Sequence, residues 1–413
     1  MTARRPYDQP RGVPPTVKGL SLVSLFNDFA SEMVYPLLPA FVTRTLGGGP
    51  LILGVLDGAA ELTASLVKLV SGRLADRPGW RRPLILWGYA IAVLVRPLIA
   101  GASAAWQVVG FRVVDRIGKG VRTPPRDALI AEITPPMLRG RAYGFHRGAD
   151  HFGAVLGSLA AWYLLMRGTD VRNVIWWSVV PGIVAFVVLA AVLRGGRTGG
   201  RADRRTDGMA DKLTGEQTGQ SSVRPPVRPP ARFWPPVLAL TGLTFFRLPE
   251  ALLILRLQDL GVSIVAVPLV WAGLHVVRSL SSYPGGWLSD RIGARRVVAA
   301  GGLLFAMVAL VFGVALTPVQ AIALFLVLGL VAGLTESGER TVVARLAPVR
   351  TGRGFGSYHA LVGVAALPAG LIFGALYQSG GGRTALWASA AGMAVAVMVW
   401  LIVSPADEGQ QVS

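Results

Sequence analysis

The sequence predicts an all-α integral membrane protein of about twelve transmembrane helices, built as two pseudo-symmetric six-helix halves. Three observations carry this. The chain is 52% hydrophobic and only 15% charged over 413 residues, less charge than a soluble protein of that size carries. Its apolar stretches recur in series and are long enough to span, which needs roughly 20 residues each. Its second half repeats short motifs of the first. Lipid leaves no water to satisfy an open backbone, so apolar runs without strand-like alternation become helices.

The expected helices are α1 18–42, α2 51–72, α3 83–101, α4 105–133, α5 142–166 and α6 173–193 in the first half. The second half holds α7 235–257, α8 263–284, α9 296–316, α10 318–342, α11 354–377 and α12 384–404. The organisation is an N-tail (1–17), a first half (18–194), a linker (195–234), a second half (235–404) and a C-tail (405–413). The linker contains Arg-Pro-Pro-Val-Arg-Pro-Pro and little apolar periodicity, the composition of a solvated connector. The N-tail is polar and Pro-rich, with no apolar stretch ahead of a small-residue cleavage site, so it reads as a cytoplasmic tail.

The formal charge of +19 raises the question of a nucleic-acid partner. Lys and Arg gather in the N-tail, the linker and the loops after α2, α4, α8 and α10, so the positive-inside rule accounts for them without one. The rule places both termini and the linker in the cytoplasm of a multi-pass inner-membrane protein. Arg far outnumbers Lys, and Ala, Gly and Val abound, which points to a GC-rich bacterial source. There is no cysteine, which excludes disulfides and thiolate metal sites. No Gly-x-x-x-x-Gly-Lys-Ser/Thr loop occurs, so direct ATP drive has no support.

Two repeats fall in nearly one register. Gly72-Arg-Leu-Ala-Asp76-Arg-Pro-Gly-Trp-Arg81-Arg82 returns as Gly286-Trp-Leu-Ser-Asp290-Arg-Ile-Gly-Ala-Arg295-Arg296. Pro136-Met-Leu-Arg-Gly140-Arg141-Ala-Tyr-Gly144 returns as Pro348-Val-Arg-Thr-Gly352-Arg353-Gly-Phe-Gly356, which sets Asp127 opposite Glu339. The first pattern, between α2 and α3, resembles the signature loop of the major facilitator superfamily. Its echo after α8 and the motif that starts α5 and α11 fit the same family. Arg112-Val-Val-Asp-Arg-Ile-Gly118-Lys-Gly120 resembles the α4 motif of that family's proton-driven exporters, with Asp115 for the usual Gln and Arg116 for a Gly. Pro36-Leu-Leu-Pro39 at the end of α1 resembles the same branch, and the likeness covers 18–404.

Charge inside a membrane is costly and marks a pathway. The cores of α6, α9 and α12 hold no ionisable residue, and α3 holds only Arg96. Charge concentrates instead on α1 (Asp28, Glu32), α4 (Arg112, Asp115, Arg116, Lys119, Arg122), α7 (Arg247, Glu250) and α10 (Glu336, Glu339, Arg340). α2, α5, α8 and α11 add Asp57, Glu61, His146, Arg147, Asp150, His151, His275, Arg278 and His359. The resemblance implies that α1, α4, α7 and α10 line a central cavity while α3, α6, α9 and α12 face lipid, and the charge pattern divides the helices the same way.

The expected substrate and proton pathway is therefore Asp28, Glu32, Arg112, Asp115, Arg116, Lys119, Arg247, Glu250, Glu336 and Glu339. The α4 charges are three and four apart, on one face. Asp115 can pair within its own helix, and Asp28 and Glu32 are expected to partner Arg112 and Arg116. Proton carriage is expected of Asp28, Glu32, Asp115 or Glu336. Gly72, Asp76, Arg81 and Gly286, Asp290, Arg295 are expected to form conformational latches, with the glycines allowing close helix approach. The histidines read as a polar cavity wall, with a proton relay or a metal site as the sharper alternative.

Together these observations predict a secondary transporter of a small solute, working by alternating access as a monomer in the bilayer. It is expected to need no cofactor, to draw on a proton gradient, and to run as an exporter or antiporter. An anionic solute or a metal chelate, moved in either direction, is the alternative. A membrane enzyme or a receptor fits less well, since no nucleophile–base set and no soluble output domain is visible.

Overall fold

A computed structural model describes residues 13–75, 77, 79–135, 138–194, 231–346 and 351–404. α1 begins at Pro15, whose missing N–H costs nothing in a first turn, and runs to Val34. Pro36 and Pro39 then remove two backbone donors, and the helix continues as a 3-10 turn (Tyr35–Leu37), a short α stretch (Leu38–Ala40) and a π turn (Phe41–Thr45). α2 is Pro50–Ala75, α3 Arg81–Ala100, α4 Ala105–Ile133, α5 Arg139–Met166 and α6 Val171–Arg194. α8 is Val267–Ile292, α9 Ala294–Val314 and α10 Pro318–Leu346. α11 and α12 form one run, Thr351–Val403, interrupted only at Gly381 (φ 74°, ψ 178°).

α7 departs from the expected single helix. It is Trp234–Phe245 and Glu250–Asp259, separated by an extended corner ending at Pro249. Pro249 cannot donate to the carbonyl of Phe245, so the ladder stops there. The carbonyl freed at Phe246 accepts from Ser389 Oγ of α12 at 2.5 Å. The other ends moved by a few residues, so α1 starts inside the expected N-tail, except that α8 runs eight residues past its expected end and takes in Gly286 and Asp290.

Seven helical runs, the α11–α12 pair counting as one, are long and apolar enough to cross a membrane by length and composition. α1, α4, α5 and α8 are not among them. α3, α6, α9 and α12 expose apolar side chains outward, among them Trp87 and Leu94, Ile183 and Val187, Met307 and Leu310, Met398 and Ile402. That is the surface a lipid-facing helix presents.

Where helices approach most closely, glycine is required. Gly54 of α2 and Gly370 of α11 meet backbone to backbone across the two halves, and a Cβ on either would strike the other's carbonyl oxygen. Gly118 packs on Gly88 of α3 in the same manner, while a Cβ on Gly120 would press on Val67 of α2. The glycines of the α4 motif therefore clamp α4 between α2 and α3 and fix which face looks inward. The latch glycine Gly72 behaves otherwise. A Cβ on Gly72 would lie 3.9 Å from Pro124, ordinary contact, and the tight approach of α8 to α10 is made by Gly285, one residue before Gly286.

Candidate functional site

Between the halves lies a cavity of about 610 Å³, within the range of small-molecule sites. α1 contributes Glu32 and Tyr35, α2 Asp57 and Glu61, and α4 Arg112, Arg116 and Lys119. The second half contributes Arg247 and Glu250 from α7, and Trp271, His275 and Arg278 from α8. Apolar surface comes from α10 and α11 and from Phe305 of α9. The lining is thus wider than α1, α4, α7 and α10: α2, α8 and α11 share it, and α9 reaches it with one ring.

The cavity is closed at the end of the bundle away from the chain termini. Leu37, Leu38 and Phe41 of α1 and Leu252, Ile254 and Leu257 of α7 are fully buried there. Polar bonds between the halves reinforce the closure. Asp57 accepts from the Tyr35 hydroxyl (3.1 and 3.2 Å) and from the backbone N–H of Ala251 (2.9 Å). The Ala251 amide is one of those left without a carbonyl partner by the break in α7, so a carboxylate from the first half caps a helix of the second. Trp271 Nε1 donates to Glu32 at 2.7 Å, and the Trp271 and Tyr35 ring centroids are 5.2 Å apart. At the other end α2 and α11 stay in contact, a Cβ on Gly356 lying 3.9 Å from Leu69, but apolar groups of α5 and α8 are uncovered. Phe145 and Phe152 of α5 and Leu280 and Tyr283 of α8 are exposed there.

Six of the ten expected pathway residues line the cavity: Glu32, Arg112, Arg116, Lys119, Arg247 and Glu250. Asp28 does not; its Oδ1 accepts from Asn27 Nδ2 (3.1 Å). Asp115 lies behind Arg112, which donates to it at 3.2 Å, with Arg116 at 3.9 Å. Glu339 is held by Arg247 (2.6 Å) and the Tyr358 hydroxyl (3.2 Å). Glu336 pairs with Arg340 on its own helix and with Arg278 (3.7 Å).

The expectation that Asp28 and Glu32 partner Arg112 and Arg116 is corrected. Arg112 finds Asp115 one turn along its own helix and lays its guanidinium over the Tyr35 ring at 5.1 Å, while Glu32 is taken by Trp271. The α1 face near Asn27 receives Arg96 of α3 instead, which donates to Asn27 Oδ1 (3.1 Å) and Ser31 Oγ (3.2 Å).

The latch residues divide. Asp76 lies outside the described residues. Arg81 pairs with Glu132 of α4 and donates to the Ala75 carbonyl at 2.9 Å. Arg295 donates to Ser404 Oγ at 2.9 Å and to the Leu401 carbonyl at the end of α12. Asp290 is exposed and in no ion pair among the described residues.

The histidines are dispersed. His146 is buried against Ser21 Oγ (3.3 Å) with Asp150 at 3.8 Å, and only His275 reaches the cavity, 3.8 Å from Glu32. Among the described residues no three metal-ligating side chains converge.

Sequence reasoning missed Tyr35 and Trp271, which join the halves, and ranked Asp57 below its importance. Pro249 was the available signal for the α7 break.

The Major Facilitator Superfamily profile matches residues 20–277 and 248–413. The chain is similar to an uncharacterised MFS-type transporter of Methanocaldococcus jannaschii, 26% identical over 90% of each chain. It is also similar to the multidrug resistance protein MdtH of Edwardsiella ictaluri, 31% identical over 38% of each. Among solved structures, a POT family transporter in complex with 5-aminolevulinic acid superimposes with a TM-score of 0.75 at 13% identity, over 96% of this chain and 97% of that one.

Proposed function

The chain belongs to the major facilitator superfamily, and from that premise we propose that it is a proton-coupled exporter of a small organic solute. The match establishes a multi-pass membrane transporter rather than an enzyme. Export, proton coupling and orientation are our reading.

One observation carries it. A cavity midway along the helices is closed at the end away from the termini by bonds between the halves, while charged groups line its interior. Such a cavity loads from one side and must break those bonds to unload on the other. With the positive-inside distribution, the termini and linker are cytoplasmic, so loading is from the cytoplasm and unloading is outward. The local likeness to MdtH supports that direction. Glu32 is the foremost proton carrier, because it is the expected carrier that both lines the cavity and bonds the opposite half. Loss of its negative charge would weaken its hold on Trp271 and link protonation to rocking. Asp28, Asp115 and Glu336 rank behind it, since none lines the cavity.

The test is flux of a panel of fluorescent organic solutes in everted vesicles, with a proton gradient and after a protonophore. Gradient-dependent accumulation that Glu32→Gln uncouples is the expected result. Accumulation that ignores both the gradient and the substitution would reject proton coupling, and the absence of transport for every solute would reject the exporter.

A further inference from the structure

Resting on the transporter reading, we propose that the solute is an organic anion, its acidic group held by Arg116 and Lys119 on the α4 wall.

The carboxylates that line the cavity are engaged by the wall itself. Glu32 holds Trp271 Nε1, Asp57 holds the Tyr35 hydroxyl and the Ala251 N–H, and Glu250 lies 3.7 Å from Arg278. Glu61 accepts only from Ser65 Oγ, at 3.4 Å, and is within ion-pair distance of no base among the described residues. The cations divide differently. Arg247 is spent on Glu339 at 2.6 Å, and Arg112 on Asp115 at 3.2 Å. Arg116 reaches that same Asp115 only at 3.9 Å, and the Lys119 ammonium has no acidic partner among the described residues.

Arg116 and Lys119 are one turn apart, on the face that the Gly118 and Gly120 contacts turn inward. Two cations side by side, of which only Arg116 reaches an acid, and that acid already bonded to Arg112, make a site whose missing partner is an anion. A carboxylate or phosphonate can accept from both at once. A cationic ligand would meet carboxylates already bonded, with Glu61 as the exception. The apolar body of the ligand has a wall to rest on across the cavity, where Trp271 and Phe325 pack with ring centroids 6.2 Å apart, beside Leu274.

The experiment uses the full-length protein in detergent and three probes of matched size: benzoate, phenylphosphonate and benzylammonium. Binding is read from tryptophan fluorescence and thermal shift at low ionic strength. At least one of the two anions is expected to bind and raise Tm, and benzylammonium is not. The preferred anion identifies the acidic group. Lys119→Met and Arg116→Gln should each weaken anion binding at least tenfold. Glu61→Gln should leave it equal or tighter, since it removes a negative charge facing the site.

In the absence of probe, Lys119→Met should melt no lower than the native protein, because no native bond is lost. A lower Tm would show that Lys119 is structural and overturn the assignment. Equal or better binding of benzylammonium, anion affinity that survives both substitutions, or no anion binding at 10 mM would overturn it as well. Gradient-driven flux of amines in the vesicle assay would keep the transporter and remove only the anion.

Discussion

In the first half the buried ion pair lies along one helix, Arg112 against Asp115 on α4. In the second a less buried pair crosses between two, Arg247 on α7 against Glu339 on α10. The first half is further knitted by Arg96 from α3 to α1, Arg126 to Ser24 (3.2 Å), and Arg122 to the Gly88 carbonyl (3.0 Å). Polar bonds thus tie α1, α3 and α4 into one unit. In the second half α7 is broken at Pro249, and its outer piece is capped by Asp57, a residue of the other half. The contrast teaches that the repeat fixes the helices but not the division of labour. The first half is bonded into one unit, and the second contains a helical piece whose cap comes from the other half.

Four substitutions sharpen or break that comparison. The largest effect is expected from Arg112→Ala, which leaves Asp115 with only Arg116, at 3.9 Å, in a setting where Arg112 and Asp115 are nearly fully buried. Removing one partner of such a pair costs about 3–5 kcal/mol. The double change Arg112→Gln with Asp115→Asn should recover most of it, measured as Tm in detergent. Without that recovery, Arg112 acts through Tyr35 rather than Asp115.

Arg247→Ala comes next. Its side chain is 29% exposed, so screening reduces the loss to below about 3 kcal/mol. A loss equal to that of Arg112→Ala would erase the distinction between the halves.

Asp57→Ala removes the cap on the outer piece of α7, worth about 1 kcal/mol by analogy with helix caps. The expected result is a shift of roughly fivefold toward the state open away from the termini. Spin labels at Thr45 and Val319 would report it as a longer distance population. An unchanged distribution would mean that the apolar seal alone holds that end shut.

The smallest structural effect belongs to Asp290→Asn. Exposed and in no ion pair among the described residues, Asp290 should change stability by less than about 0.5 kcal/mol on substitution, while transport falls if the aspartate pairs only in the alternate state. Normal flux in liposomes would remove it from the latch.

Much of this contrast was hidden in the sequence for identifiable reasons. Arg112 and Asp115 are three residues apart, and helical periodicity alone brings them together. The polar and apolar helices were equally legible, since intramembrane charge is rare enough to sort by eye. The contacts between halves were not. Whether Glu32 meets Arg112 or Trp271 depends on the rotation of α1 against α8, which no local spacing encodes. Tyr35 and Trp271 sit within apolar runs, where an aromatic reads as core until its polar tip is seen to bond. Gly72 belonged to a recognised motif, yet the crowded position on the matching helix is Gly285, because close approach is decided by helix phase.

The joint between α11 and α12 sets a mechanical condition on the cycle. In the first half a turn around Gly168, φ 81°, separates α5 from α6, whereas the corresponding joint in the second is the single residue Gly381. There is no slack to absorb a tilt. α11 is pinned to α2 through Gly54 and Gly370, and α12 presents Val395, Met398 and Ile402 outward. Any rocking at the α2–α11 seam is therefore levered onto the lipid-facing surface, and part of the work of each turnover is done on the bilayer. The turnover rate should change with acyl-chain length, through the stiffness and thickness of the membrane that α12 must displace.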